Sequence, residues 1–173
     1  MQTGDDPMIR LAPLAALSLL SATAPAFAAP AQPLGQFKQW NAAAYDGSNG
    51  KRCYIVSSPN DLKPETLRHG DVFFFVQTAP SAQSRTESSF QTGYDFAKDS
   101  TVTVTIGDES FRMLTSGNNA WLQKLEREGE LLAAMKAGDE MVLAARSGRG
   151  NETSYTFSLE GVTAASRLLE RCS

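Results

Sequence analysis

Histidine is nearly missing from this 173-residue chain, with His69 the only one. A Ser-His-Asp or Cys-His arrangement would have to be built on that residue. It lies in Leu67-Arg68-His69-Gly70-Asp71, a turn ahead of a strand, where an exposed polar side chain is the ordinary outcome. Cysteine is scarce as well: Cys53 and Cys172 are the only two. Zinc sites favour several His or Cys ligands, so neither a metal centre nor a cofactor is expected. Basic runs are absent and the formal charge is -3, which argues against nucleic acid as a partner. Past residue 28 no apolar run is long enough to cross a bilayer, and the longest compact one, Val72 to Val76, has the length of a buried strand. Residues 29–173 also lack repeats, low-complexity tracts and any candidate linker, so one domain is the simplest reading.

What is present begins with the N-terminus. Met8, Ile9 and Arg10 open a short positive region, Leu11 to Leu20 is apolar, and Ala26-Phe27-Ala28 has the small-x-small pattern that a signal peptidase cuts. Asp5 and Asp6 are unusual in such a segment, which points to Met8 as the start. Residues 1–28 are therefore read as a cleaved signal peptide, and residues 29–173 as a periplasmic or outer-envelope protein. No cysteine follows the cut, so a lipid anchor there is not expected. Export would place Cys53 and Cys172 where disulfides persist. Closing so long a loop stabilises a fold by roughly 5 kcal/mol in the chain-entropy account. Two free thiols and an intermolecular bridge are the alternatives.

Residues 29–36 read as a flexible leader and Phe37 to Trp40 as a first short strand. Arg52 to Ser57 alternates, with Cys53 and Ile55 on one face. Asp71 to Thr78 reads as a strand covered on both faces, with Phe73 to Phe75 as core residues, and residues 79–88 as a polar loop. In Thr101 to Ile106, Val102, Val104 and Ile106 face one way and threonines the other. Gly107-Asp108-Glu109-Ser110 turns the chain into Phe111 to Leu114, so the Asp108–Glu109 carboxylate pair belongs to a solvated turn. Gly117-Asn118-Asn119 turns it again into Ala120 to Leu122. Glu130 to Ala137 is predicted helical, with Leu131, Ala134 and Met135 inward and Gly138 at its end. Met141 to Ala145 and Tyr155 to Leu159 are two more strands. Val162 to Cys172 is predicted to be a helix whose stripe of Val162, Ala165, Leu168, Leu169 and Cys172 faces the sheet. That stripe turns Cys172 toward Cys53. The expected fold is mainly β: a β-sandwich-like domain of about eight short strands with a short helix and a C-terminal helix.

Three side chains are candidates for binding. Arg149, within Gly148-Arg149-Gly150, stands where glycines free the backbone and a guanidinium can meet a carboxylate or phosphate. Arg146 lies nearby. Trp121, beside Asn118 and Asn119, can mark a ligand surface, although a buried or edge tryptophan is its ordinary role. The ordinary role of the arginine turn is a hairpin with local ion pairing.

Taken in order, several segments resemble the invasion-associated locus B family of Gram-negative envelope proteins. They are Cys53-Tyr54-Ile55-Val56-Ser57-Ser58-Pro59, Gly70-Asp71-Val72-Phe73-Phe74-Phe75-Val76, and Gly93-Tyr94 leading to Asp99 through Gly107. The likeness continues through Ala120-Trp121-Leu122, Ala133 to Gly138, and Arg149-Gly150 to Ser158 through Ala165. It runs from about residue 50 to the end, and both cysteines fall where the family has them. Asn151 and Ser154 depart from the threonine and aspartate expected after the Arg-Gly pair. The resemblance implies an exported protein associated with invasion of host cells. It supplies no catalytic residue, and many relatives occur in bacteria without an obvious host.

Together these readings predict a non-enzymatic binding module whose partner is an unknown envelope or host protein. The alternative is a structural or stress-protective envelope protein without a defined ligand. A pocket containing Arg149 with convergent polar groups favours the first, and a flat solvated surface favours the second.

Overall fold

Period-two alternation of buried and exposed side chains dominates the chain and lays it out as strands. In β7 (Thr101–Ile106), for example, Val102, Val104 and Ile106 are buried while Thr103 and Thr105 are exposed. The computed structural model describes residues 30–47, 50–79 and 84–172. The expected signal peptide lies outside them. The remaining strands are β1 (Gln32–Phe37), β2 (Trp40–Gly47), β3 (Gly50–Ser57), β4 (Asp61–Lys63), β5 (Phe73–Thr78) and β6 (Thr86–Gln91). After β7 come β8 (Glu109–Ser116), β9 (Asn119–Leu122), β10 (Glu140–Arg146) and β11 (Glu152–Ser158). Two helices complete the set, α1 (Glu128–Ala137) and α2 (Val162–Ser166).

All the strands join one antiparallel sheet in the order β1-β2-β3-β5-β6-β9-β8-β7-β10-β11-β4. The sheet folds over so that its two halves face each other, which gives the sandwich-like core. Phe74 of β5 lies 6.1 Å from Phe157 of β11 between ring centroids, and Phe90 of β6 lies 5.4 Å from Tyr155. Near one edge, the Trp40 indole of β2 donates to the Ser158 carbonyl of β11 at 3.0 Å. The mainly β architecture with two helices is as expected, with eleven strands among the described residues in place of about eight.

The extra strands are those whose sequences lack apolar alternation. β6 takes in the end of the expected loop, residues 86–88, and its buried positions are Thr86, Ser88 and Phe90. β1 is an exposed edge strand carrying Pro33, held to β2 by main-chain pairing. The expected strand from Phe37 to Trp40 is instead a hairpin: the two aromatics pair across the Lys38-Gln39 turn. Of the three consecutive phenylalanines only Phe74 is fully buried. Phe73 and Phe75 are half-buried on the outer face, with Phe75 6.0 Å from Tyr54.

α1 begins two residues earlier than its apolar pattern and buries Leu131, Ala134 and Met135. Gly138 follows because space demands it: a Cβ there would meet Ile106 Cγ2 at 2.6 Å. The expected C-terminal helix is α2 followed by a tighter 3₁₀ turn from Leu169 to Cys172. Its stripe still faces inward, and Cys172 is joined to Cys53 by a disulfide with Cα atoms 5.6 Å apart.

Candidate functional site

Two glycines bring the site's walls together. Gly70 and Gly93 cross backbone to backbone. A Cβ on Gly93 would lie 2.5 Å from the Gly70 Cα and 2.6 Å from the His69 carbonyl oxygen. Gly70 also has φ +66, a conformation that side chains disfavour. The crossing sets the 66–69 segment against Tyr94 and Asp95.

The third wall is the turn between β10 and β11. Ser147 forms an isolated bridge with Phe96, and the Gly148 N–H donates to the Asp95 carbonyl at 2.8 Å. Within the turn, Ser147 Oγ accepts from the Asn151 N–H at 3.1 Å, and the Gly150 N–H donates to the Ser147 carbonyl at 2.8 Å. Arg149 is thus carried at the tip of a turn fixed on both sides.

Between these walls is an open cleft of about 760 Å³, lined among others by Arg68, His69, Tyr94, Asp95, Arg149 and Thr153. Neither Arg68 nor Arg149 has an ion-pair or side-chain hydrogen-bond partner among the described residues. With Asp95 as the lining carboxylate, the cleft has one positive charge in excess. A smaller cleft of about 360 Å³ holds Arg112, Lys124 and Arg127. There Arg127 is already engaged, pairing with Glu130 at 2.7 Å and lying 4.4 Å from the Phe111 ring centroid.

The floor of the larger cleft is a chain of polar groups in which His69, Tyr155 and Thr153 are buried and Tyr94 is half-buried. His69 Nε2 is 3.0 Å from the Pro64 carbonyl oxygen, and Nδ1 is 2.9 Å from the Tyr155 hydroxyl. The Tyr155 hydroxyl is 2.9 Å from that of Tyr94, which is 2.7 Å from Thr153 Oγ1. Thr153 Oγ1 donates to the Ala145 carbonyl at 3.2 Å. Burial pushes the Tyr155 hydroxyl well above the usual tyrosine range, and the Tyr94 contact adds to this, so the phenol stays protonated.

The structure overturns the expectation that His69 is an exposed turn residue. It is buried, with both ring nitrogens engaged and its ring edge-on to Tyr155 at 5.3 Å. Of the three binding candidates, only Arg149 lines the cleft. Arg146 extends outward from β10 and pairs with Glu152 at 3.3 Å. Trp121 is exposed on the outer face of β9, opposite Ser89 and Leu114 on neighbouring strands. Sequence reasoning missed Arg68, Tyr94, Asp95 and Thr153. The Gly70 and Gly93 motifs were the available signal, because paired glycines in separate loops mark a close backbone crossing.

The family model described as invasion associated locus B (IalB) protein matches residues 40–170. Among solved structures, the crystal structure of invasion associated protein B from Bartonella henselae is similar, with a TM-score of 0.58 and 13% sequence identity. The match covers 79% of this chain and 95% of that one. No match is found among curated proteins.

Proposed function

The chain belongs to the invasion associated locus B family, and from that membership we propose that it is an exported, non-enzymatic binding module of the cell envelope. In this reading residues 1–28 are removed on export, residues 29–173 act as one unit, and the Cys53–Cys172 disulfide suits an oxidising compartment. The cleft between the 66–69 segment, Tyr94-Asp95 and the 147–151 turn takes an anionic group of a partner protein. The observation that carries this is the pair of guanidinium groups, Arg68 and Arg149, in a walled cleft and without partners among the described residues. Arginine meets carboxylates and phosphates through paired N–H donors.

Photocrosslinking in intact cells from position 151, beside Arg149, tests the reading. A discrete envelope or host protein should be captured. Capture should fall roughly 10- to 100-fold in Arg149→Ala, as expected when a charge-assisted hydrogen bond worth about 1.5–3 kcal/mol is lost. Equal capture from a crosslinker at Trp121, unaffected by Arg149→Ala, would refute the cleft as the binding site. Fractionation checks the export half: full-length protein in the cytoplasm would refute it.

A further inference from the structure

Strand register gathers on one face what no single segment shows. β8 alternates, so Arg112 and Leu114 share its outer face while Phe111 and Met113 are buried. Leu114 pairs with Trp121 of β9. Arg112 pairs with Thr103 of β7, and its carbonyl accepts from the Gln123 N–H at 2.9 Å. Lys124 follows directly, and the 3₁₀ turn after it, Leu125–Arg127, buries none of its residues. Leu114 is 48% exposed, Leu125 41% and Trp121 38%. They are three of the five large apolar side chains exposed among the described residues; the others, Leu34 and Val142, lie apart on β1 and β10.

Beside these three is the smaller cleft. Its charged lining is Arg112, Lys124 and Arg127, with no carboxylate among the described residues that line it. Arg127 is held by Glu130, by the Ser110 carbonyl at 3.2 Å and by the Phe111 ring. Arg112 and Lys124 have no ion-pair or side-chain hydrogen-bond partner among the described residues. The turn also carries Glu126, which does not line the cleft. This concavity is basic on a chain whose formal charge is -3. Cations flanking exposed apolar anchors match a bilayer interface: lysine and arginine meet headgroup phosphates, tryptophan sits at headgroup level, and aliphatic side chains reach the acyl boundary. Leucines offer no flat ring on which a sugar could stack. Three separate apolar side chains also fall far short of the roughly 800 Å² that a standard protein interface buries on each partner. We infer that the outer face of β8 and β9 docks on an anionic lipid surface. A headgroup phosphate lies between Arg112 and Lys124, and Leu114, Trp121 and Leu125 enter the interface. This face shares no lining residue with the Arg68–Arg149 cleft, so either can fail alone.

The chain's two tryptophans make the test direct, because Trp40 is fully buried and Trp121 is exposed. The exported protein, with its disulfide intact, should float with vesicles of equal parts phosphatidylglycerol and phosphatidylcholine. Emission should then shift to the blue and be quenched by brominated acyl chains, and in Trp121→Phe both changes should vanish while flotation persists. Affinity should fall roughly fivefold for Arg112→Gln or Lys124→Gln and about 30-fold for both together. Leu114→Ser should weaken it roughly five- to tenfold, and added salt should weaken it further. Binding that is equal on phosphatidylcholine alone, or indifferent to these substitutions as attachment through residues 1–28 would be, would overturn the inference. An emission change produced by inorganic phosphate without vesicle binding would make the cleft a free-anion site instead. Self-association lost in Trp121→Ala, or capture of one protein from position 121, again without vesicle binding, would give the face to a second copy or to a protein partner.

Discussion

Glu128 sits at the start of α1 with its carboxylate out of water, accepting from the Ser88 N–H at 2.9 Å and from Ser88 Oγ at 2.7 Å. Burial raises its pKa above the usual glutamate range, and the Ser88 hydrogen bonds pull the other way. The folded state therefore favours the acid form. Its contribution to stability is greatest below the unfolded glutamate value and declines as pH rises from there through the raised folded value. Urea midpoints measured between about pH 4 and pH 8 should show this decline in the native protein, and Glu128→Gln should flatten it. Glu128→Ala should instead cost roughly 1–3 kcal/mol at low pH, because the Ser88 N–H and hydroxyl lose their acceptor, and that cost should shrink as pH rises. His69 belongs to the same class of buried, fully partnered polar residue. A bare Leu-Arg-His-Gly-Asp turn could not reveal that, because the burial comes from the 92–96 segment and β11, both distant in sequence.

Elements whose burial follows an apolar period were legible: β3, β7, β8, β10, β11 and the inward stripe of α1 match their sequence patterns, whereas β5 was expected to be covered on both faces and is covered on one. β6 was not legible, because serine and threonine fill buried positions there and Ser88 is satisfied by a carboxylate from α1. β1 and β4 were hidden for another reason. Each lies at an edge, where main-chain pairing suffices and little side-chain burial is recorded in the sequence. Of the candidate site, only Arg149 was legible, since the turn's composition is local whereas the cleft is made by a crossing of loops. Two glycines separate these effects by experiment. Gly93→Ala forces a Cβ into the Gly70 backbone and should cost about 1–3 kcal/mol or more, while disturbing the His69 imidazole resonances. Gly129→Ala, in α1 with open space at its Cβ position, should stabilise by about 0.5–1 kcal/mol and leave those resonances alone. Thermal unfolding read beside the imidazole spectrum distinguishes the two.

At the scale of the whole molecule, the Cys53–Cys172 bridge joins positions 119 residues apart, from a strand inside the first half of the sheet to the end of the chain. The chain-entropy account makes its removal worth roughly 5 kcal/mol before strain, a large part of the net stability of an ordinary fold. The Cys53→Ala/Cys172→Ala double variant should therefore unfold at a markedly lower urea midpoint, and a loss below about 1 kcal/mol would refute that account. The bridge has a further consequence of connectivity. It makes residues 53–172 a covalent ring that contains β4 through β11, both helices and all three walls of the cleft, with β1 and β2 left as a tail. A protease that cuts the ring once converts it into an open chain but releases no fragment: both pieces migrate together until a reductant is added. Damage at one exposed turn leaves the two halves of the sheet at high mutual concentration, so the nicked protein can close again around the same cleft.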